Sequence, residues 1–207
     1  MPLVYQQNIN AWTKIGVWSI QEEEVFFLRV VPLQNDISHP HKRLQHLAGR
    51  YLLKLLFPNF PLQLIEIADT RKPFLASEDY HFSISHCGDY AAVIVSTENR
   101  VGVDIEIPQI KIRKISHKFL TPEEQLLLEL IPLNHLHSLC LAWSIKEAIF
   151  KWYGEGQVDF RRHMRISTIK ECNFDFVASC FFQKEETISL EVFASMFNGI
   201  SLAYLVS

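Results

Sequence analysis

The sequence predicts an α+β protein made of two similar halves in one chain, a pseudo-dimer, with its functional site at the seam between the halves. Two observations support this fold class. Of the 207 residues, 48% are hydrophobic, which is enough to fill a core. The order strand, helix, hairpin occurs twice, with a join near Asn99-Arg100, so we expect an N-terminal half over residues 1–99 and a C-terminal half over 100–207. The alternative is a single α+β domain without internal symmetry.

The first half contains three predicted elements. Residues 24–32 are rich in β-branched and aromatic side chains and predict a strand. Residues 42–57 have the periodicity of an amphipathic helix, which Pro58 would stop. Residues 81–96 form two apolar runs around Cys87-Gly88-Asp89, which is typical of a hairpin.

The second half repeats this order. Residues 101–107 predict a strand, and residues 139–153 predict a long helix that ends at Gly154, a natural C-cap. The last two apolar runs, residues 188–193 and 200–206, flank Asn198-Gly199, a strong hairpin signal.

Composition excludes several classes of function. With 20 Lys and Arg against 23 Asp and Glu, the net charge is −3, which argues against general binding of nucleic acid. No apolar run approaches the roughly 18 residues of a membrane span, and no export signal is visible. The 4 cysteines show no C-x-x-C spacing, so we expect free thiols in a reducing, cytoplasmic location.

The hexapeptide Val101-Gly102-Val103-Asp104-Ile105-Glu106 carries two carboxylates on one face of a strand. Such a pair repels itself unless water, a base or a cation lies between the two groups. Gly102, on the same face, leaves space for a ligand to approach the backbone. Hard oxygen ligands at this spacing suit Mg²⁺ bound together with phosphates. The alternative is an ordinary solvated strand face.

Three residues of the long helix, Trp143, Glu147 and Lys151, form a row at spacing i, i+4, i+8 that is separate from the apolar stripe. On a solvated surface, Glu147 and Lys151 would form a weak ion pair. If the row faces the strand instead, Glu147 becomes a third carboxylate beside Asp104 and Glu106. Three carboxylates and a lysine would then indicate a site for metal and phosphate.

Further candidates for phosphate contacts lie in the first half. Ser85 and His86 point to opposite faces of a strand, so they cannot form a nucleophile–base pair. A histidine at this turn can instead donate to a phosphate, as can the cations of Arg71-Lys72-Pro73 and Lys42-Arg43. Each of these residues taken alone is more typical of an ordinary surface. The histidines at positions 39, 41 and 46 are interpreted as surface residues.

At these residues the sequence resembles the 4′-phosphopantetheinyl transferases of the surfactin-synthetase-activating type. The resemblance rests on Val-Gly-Val-Asp-Ile-Glu followed by Trp-Ser-Ile-Lys-Glu-Ala-Ile-Phe-Lys, and on the preceding Lys-Pro and Phe-Ser-Ile-Ser-His segments. It implies two similar α+β halves with coenzyme A in the seam. It also implies transfer of 4′-phosphopantetheine from coenzyme A to a serine of an acyl- or peptidyl-carrier protein, with release of adenosine 3′,5′-bisphosphate.

The resemblance implies roles for four residues of the second half. Asp104, Glu106 and Glu147 match the carboxylates that hold Mg²⁺, or Mn²⁺, against the pyrophosphate. Lys151 matches a lysine that contacts the phosphates. We expect Glu147 and Lys151 to be catalytic, and Glu147 is the first candidate for accepting the proton of the serine.

In the first half, the resemblance matches Ser85 and His86 to a pair at the coenzyme A nucleotide. Lys72 matches the lysine of a Gly-Lys-Pro turn. Arg43 lies where a phosphate-binding arginine is expected, although the register of that helix is open.

Two residues depart from the family pattern. Arg71 replaces the usual glycine of Gly-Lys-Pro, and Cys87 replaces a serine that is common after the histidine. Both departures concern the nucleotide side of the site.

Two other functions use the same residues. One is a carrier-binding module without catalysis, which would need a broken set of carboxylates. The other is a metal-dependent nuclease or phosphohydrolase, which the mild acidity of the chain disfavours.

A carrier protein is the expected partner, and we expect the chain to act as a monomer. Carrier proteins of this kind are generally acidic, and residues 111–118 carry four cations without an acidic residue. We expect this segment to form a loop beside the metal-binding strand and to attract the carrier. The alternative is a solvated loop leading into a helix at Thr121-Pro122.

Overall fold

The computed structural model of the chain describes residues 2–32, 37–173 and 175–207. Contacts divide the chain into two compact units, one ending at Val101 and one running from Gly102 to Ser207. Both units combine helices with strands, so the predicted α+β class is confirmed. The structural similarity of the two halves stays a prediction.

The first unit is a four-stranded antiparallel sheet covered by one long helix, with a small separate hairpin. The long helix packs its buried leucines on the two central strands of the sheet. The sheet has the order β1-β2-β6-β5, and the small hairpin pairs β3 with β4. The elements are β1 (Leu3–Asn8), β2 (Thr13–Ser19), α1 (Glu24–Leu28), α2 (Pro40–Leu56), β3 (Ile65–Ile67), β4 (Pro73–Leu75), β5 (His81–Cys87) and β6 (Tyr90–Ser96).

The strand predicted over residues 24–32 is wrong, because this segment begins with helix α1. Phe27 and Val31 are both fully buried at spacing i, i+4, whereas Val25 and Val30 are exposed. That burial has the period of a helix and not the alternation of a strand. The helix α2 and the β5–β6 hairpin are confirmed close to their predicted bounds.

The second unit is a five-stranded sheet with the order β7-β11-β10-β9-β8. Helix α5 packs on β10 and β11. In the described part of the chain, no helix is both long and apolar enough to cross a membrane. The elements are β7 (Val101–Glu106), α3 (Lys111–Phe119), α4 (Pro122–Glu129), α5 (His135–Tyr153), α6 (Phe160–His163), β8 (Met164–Cys172), β9 (Asp175–Gln183), β10 (Thr187–Phe197) and β11 (Ile200–Val206).

The predicted strand, long helix and final hairpin of this half are confirmed. Asn198 and Gly199 join β10 to β11 with φ of 51° and 75°, the left-handed values that a two-residue hairpin turn requires. Gly154 ends α5 with φ of 79°, as expected for a C-cap glycine.

The loop predicted over residues 111–118 is instead helix α3. Ile112 and Phe119 turn inward at spacing i, i+7 and are buried, while the cations between them stay exposed. Helix α4 then begins at the predicted place, where Thr121 and Glu124 form a capping box.

Candidate functional site

Strand β7 places two acidic residues under helix α5. Asp104 is only 2% exposed, and Gly102 lies so close to the helix that a β-carbon would stand 2.1 Å from the carbonyl oxygen of Ala148. The prediction that Gly102 leaves space for a ligand is wrong, because the backbone of α5 fills that space. The glycine therefore allows α5 to approach β7 closely and brings its side chains within reach of Asp104.

The row predicted on α5 faces β7. The Lys151 ammonium donates to Asp104 Oδ1 at 2.7 Å, and Trp143 Nε1 donates to Glu106 Oε1 at 3.3 Å. The fold thus brings Asp104 and Glu106 of β7 into contact with the row of side chains on α5. These contacts differ from the alternative, in which Glu147 and Lys151 form an ion pair on a solvated surface. Their roles in metal binding and catalysis stay predictions.

Glu147 lies between these two contacts in the helical row. Burial raises the pKa of its carboxyl group to about 7, with a further rise caused by Asp104 and a smaller one by Glu106, while Lys151 acts in the opposite direction. A raised pKa means that the site disfavours a third negative charge. A cation held among these carboxylates would relieve that repulsion.

The donor chemistry of this cluster fits a divalent metal ion. Carboxylate oxygens are the hard ligands that Mg²⁺ and Mn²⁺ accept, and Asp104, Glu106 and Glu147 supply them from one strand and one helix. Among the described residues, no three His, Cys, Asp or Glu side chains are already arranged around a point where a metal ion could sit. In the structure, the Lys151 ammonium forms an ion pair with Asp104.

A cavity of about 230 Å³ opens beside this cluster. Trp143, Ile112, Ile115 and Cys140 give it an apolar lining, and Glu106 and Lys111 stand among its polar groups. The carboxylate of Glu106 therefore lies next to a space bounded by the basic helix α3. A substrate group entering there would meet a predicted metal ligand and a cation together.

The first unit holds the other predicted residues. Ser85 is 5% exposed and His86 is exposed, so the two side chains do point to opposite faces of β5. Lys72 lies at the tip of the β3–β4 hairpin. Arg71 has φ of 66° there, the region that favours glycine, which explains physically why the resemblance expects glycine at this position.

Sequence reasoning missed a cluster of basic groups on α2. Arg50 is 9% exposed and its guanidinium lies 3.1 Å from His46 Nδ1. Burial lowers the pKa of Arg50 to about 10. Burial, Arg50 and His86 together lower the pKa of His46 to about 4. The predicted surface position of His46 is wrong, because the residue is half-buried beside these two groups.

Arg43, the arginine predicted to bind phosphate, lies two helical turns before Arg50. It donates to Glu24 Oε2 at 2.8 Å and to the carbonyl oxygen of Ile37 at 3.0 Å. Its charge is thus already matched by a carboxylate. Arg50 was identifiable from the sequence only by its place in the α2 pattern, where it falls among the apolar residues that face the sheet.

Comparisons with known proteins agree with these motifs. Residues 100–198 match a sequence model described as the 4′-phosphopantetheinyl transferase superfamily. The chain is 31% identical over 152 residues to the 4′-phosphopantetheinyl transferase AcpT of Escherichia coli, a match covering 69% of this chain and 76% of the relative. It is 34% identical over 113 residues to enterobactin synthase component D of Escherichia coli, covering 53% of this chain and 54% of the relative. The chain spans about half the length of the first relatives that it matches.

Proposed function

The chain belongs to the 4′-phosphopantetheinyl transferase superfamily, and on that premise we propose that it transfers 4′-phosphopantetheine from coenzyme A to a serine of an acyl- or peptidyl-carrier protein. The observation that carries this proposal is that Asp104 and Glu106 of strand β7 lie close to Glu147 and Lys151 of helix α5. The surfactin-synthetase-activating subtype, a monomeric state and a cytoplasmic location are part of the proposal.

The reaction exchanges the phosphoanhydride bond of the coenzyme A pyrophosphate for a phosphoester bond to the serine. The serine Oγ forms a bond to the β-phosphorus of coenzyme A, and the bond from that phosphorus to the bridging oxygen breaks. Adenosine 3′,5′-bisphosphate leaves with the electron pair. Coenzyme A carries about four negative charges, so the site must supply positive charge where the leaving group forms.

The residues of the cluster divide this task. Asp104, Glu106 and Glu147 would hold Mg²⁺, which when bound supplies charge neutralisation at the pyrophosphate. Lys151 adds a second cation that can shift from Asp104 to a phosphate oxygen. Glu147 is our candidate acceptor for the serine proton, because its carboxylate lies in the cluster proposed to bind the metal ion and could serve both metal and base.

We place the phosphates of the coenzyme A nucleotide at the basic cluster of Arg50, His46 and His86. Burial lowers the pKa of Arg50, and burial together with Arg50 and His86 lowers the pKa of His46, so the cluster disfavours positive charge. An anion bound there would remove that penalty. Lys72 and Ser85 remain proposed contacts of the same nucleotide, and one coenzyme A is expected per chain.

Replacing His86 with alanine, or Arg50 with methionine, should raise KM for coenzyme A by roughly ten-fold with a smaller change in kcat. Each change removes a charge-assisted hydrogen bond to a phosphate, and methionine keeps the packing of the arginine stem. Steady-state kinetics with coenzyme A as the varied substrate, and calorimetry, measure both effects.

Arg43→Met is the matched control for the nucleotide site. If the phosphate contact is made by Arg50, this variant should leave KM for coenzyme A near that of the wild type. A large rise in KM for Arg43→Met, with normal values for the Arg50 and His86 variants, would assign the contact to Arg43 instead.

We propose that the exposed face of α3 attracts the carrier. Lys111, Arg113, Lys114 and Lys118 are exposed on this helix, and Lys111 borders the cavity beside Glu106. An acidic carrier would be steered to this face, which affects the rate of encounter more than the chemistry.

The double variant Arg113→Glu/Lys114→Glu should lower kcat/KM for the carrier several-fold and weaken its dependence on salt concentration. The affinity for coenzyme A should barely change. Rates at a series of salt concentrations test this, with Arg29→Glu/Lys170→Glu as a control, because it makes the same change in net charge at exposed positions elsewhere. Equal effects of the two double variants on the carrier would contradict a docking role for α3.

One experiment tests the proposed function as a whole. The chain is incubated with coenzyme A, Mg²⁺ and a carrier protein lacking its prosthetic group, and the carrier is examined by mass spectrometry. A gain of one phosphopantetheine on a serine supports the proposal. Hydrolysis of coenzyme A without a mass gain would support the phosphohydrolase, and a stable complex without either would support the binding module.

A further inference from the structure

Lys146 has a fully buried side chain that the reaction proposed above does not use. Its ammonium donates to three backbone carbonyl oxygens, those of Phe119 at 2.6 Å, Met164 at 2.9 Å and Phe160 at 3.1 Å. The carboxylate of Glu124, 2.8 Å from the ammonium, is its counter-ion. One cation therefore joins the end of α3, the start of α4, the start of α6 and the start of β8 to helix α5.

Two of these acceptors belong to residues whose rings enclose Trp143. The ring of Phe119 meets the indole edge to face at a centroid distance of 5.0 Å, and the ring of Phe160 stacks on it at 5.3 Å. Trp143 in turn donates from Nε1 to Glu106 Oε1. A continuous path of contacts thus leads from the Lys146 ammonium, through two backbone carbonyls and three aromatic rings, to a carboxylate of the candidate site.

Stability alone gives little reason to bury such a charge. Replacing a buried ion pair with apolar side chains is often neutral or even stabilising, because desolvation offsets most of the attraction. A cation surrounded by four oxygen atoms has a different property, since it holds the positions of all four with respect to one another. Two of these four positions belong to Phe119 and Phe160, the residues whose rings hold the indole of Trp143.

We propose that Lys146 is a positioning residue that orients Glu106 for binding a divalent metal ion, acting through Phe119, Phe160 and Trp143. The inference rests on the proposed metal site. The hydrogen bond from Trp143 holds the Glu106 carboxylate in one orientation, and the two phenylalanine rings hold the indole. Partners that orient a metal ligand in this way typically change metal affinity by about 10- to 100-fold when they are removed.

The test measures Mn²⁺ binding directly by electron paramagnetic resonance, without substrates. Trp143→Phe should weaken Mn²⁺ binding by roughly ten-fold, and Lys146→Met by at least about three-fold. The near-ultraviolet circular dichroism of Trp143, taken as the difference from a Trp143→Phe derivative, should also fall in Lys146→Met, because the indole loses its fixed surroundings.

Two further variants separate positioning from loss of fold. Lys146→Met/Glu124→Gln removes both buried charges and keeps a glutamine for the capping box, so it should be folded and still bind Mn²⁺ weakly. Phe160→Leu keeps the carbonyl contact of Lys146 but removes one ring, and it should weaken Mn²⁺ binding too. Leu190→Ala, a core change on β10 away from this path, should bind Mn²⁺ as the wild type does.

The outcomes distinguish this inference from the proposed function. Mn²⁺ binding by the wild type but not by Asp104→Ala would support the metal site. If, in addition, the double variant and Phe160→Leu bind Mn²⁺ as tightly as the wild type, then Lys146 has no positioning role. If wild type and Asp104→Ala bind Mn²⁺ equally or not at all, the proposed metal site fails and the role of Lys146 fails with it.

Discussion

Replacing Asp104 with alanine is expected to lower kcat/KM for phosphopantetheine transfer by roughly 10³-fold. Asp104 is buried at 2% exposure and forms the ion pair with Lys151. Its loss removes one of three hard ligands and frees the Lys151 ammonium to pair with Glu147. Metal binding and charge stabilisation at the leaving group should therefore weaken together. Mass spectrometry of the carrier over time, with Mg²⁺ present, measures the rate.

Two controls accompany this prediction. Glu191→Ala removes an exposed carboxylate from β10 and should leave the rate unchanged. Excess chelator added to the wild type should stop transfer, and Mn²⁺ should restore it. Undiminished transfer by Asp104→Ala, or full activity in chelator, would refute the assignment of the carboxylates.

The elements that are predicted correctly are specified by turn or capping residues within a short stretch of chain. Asn198-Gly199 between two apolar runs specifies a hairpin, and Gly154 specifies the end of α5. The run from residue 24 onward has no such signal, because a short apolar segment has the composition of a strand and a buried helix alike. Only the surroundings of Phe27, where three aromatic rings pack together, decide in favour of α1.

In the candidate site, too, some features are predictable from the local sequence and others are not. The periods of strand and helix place Asp104 with Glu106, and Glu147 with Lys151, and the fold needs only to bring one strand against one helix. Periodicity does not predict what packs against Gly102. A glycine allows either a ligand or a helix to approach the backbone, and in the structure helix α5 occupies this space. The cluster at Arg50 depends on burial by the sheet, which is a tertiary property.

The position of Lys146 in the sequence of α5 indicates that its side chain is buried. It lies at helical spacing from Leu139, Ala142 and Ile149, all of them buried, so a lysine falls within an apolar stripe. A cation there requires a buried partner. The sequence does not identify Glu124 as that partner, because the two residues meet only through the packing of α4 against α5.

Replacing Glu124 with alanine is expected to lower the free energy of unfolding by about 3–5 kcal/mol. The change leaves the Lys146 ammonium buried without its carboxylate. It also removes the acceptor of two backbone groups, Thr121 N at 2.8 Å and Ile166 N at 2.8 Å. Urea unfolding monitored by tryptophan fluorescence measures the loss. Glu123→Ala, a change at the exposed neighbour in the same turn, should cause a much smaller loss, and so should Glu124→Gln, which keeps an acceptor for the two backbone groups.

The dependence on pH identifies the cause of this loss. Burial lowers the pKa of Lys146 below its ordinary 10.5, and Glu124 acts against that shift, so removing Glu124 should lower the pKa further. Between the folded pKa and 10.5, the unfolded chain binds more protons than the folded chain, and stability therefore rises with pH. The Glu124→Ala variant should recover stability toward alkaline pH more steeply than the wild type. A loss that is equal at every pH would show that the missing hydrogen bonds, and not the buried charge, account for it.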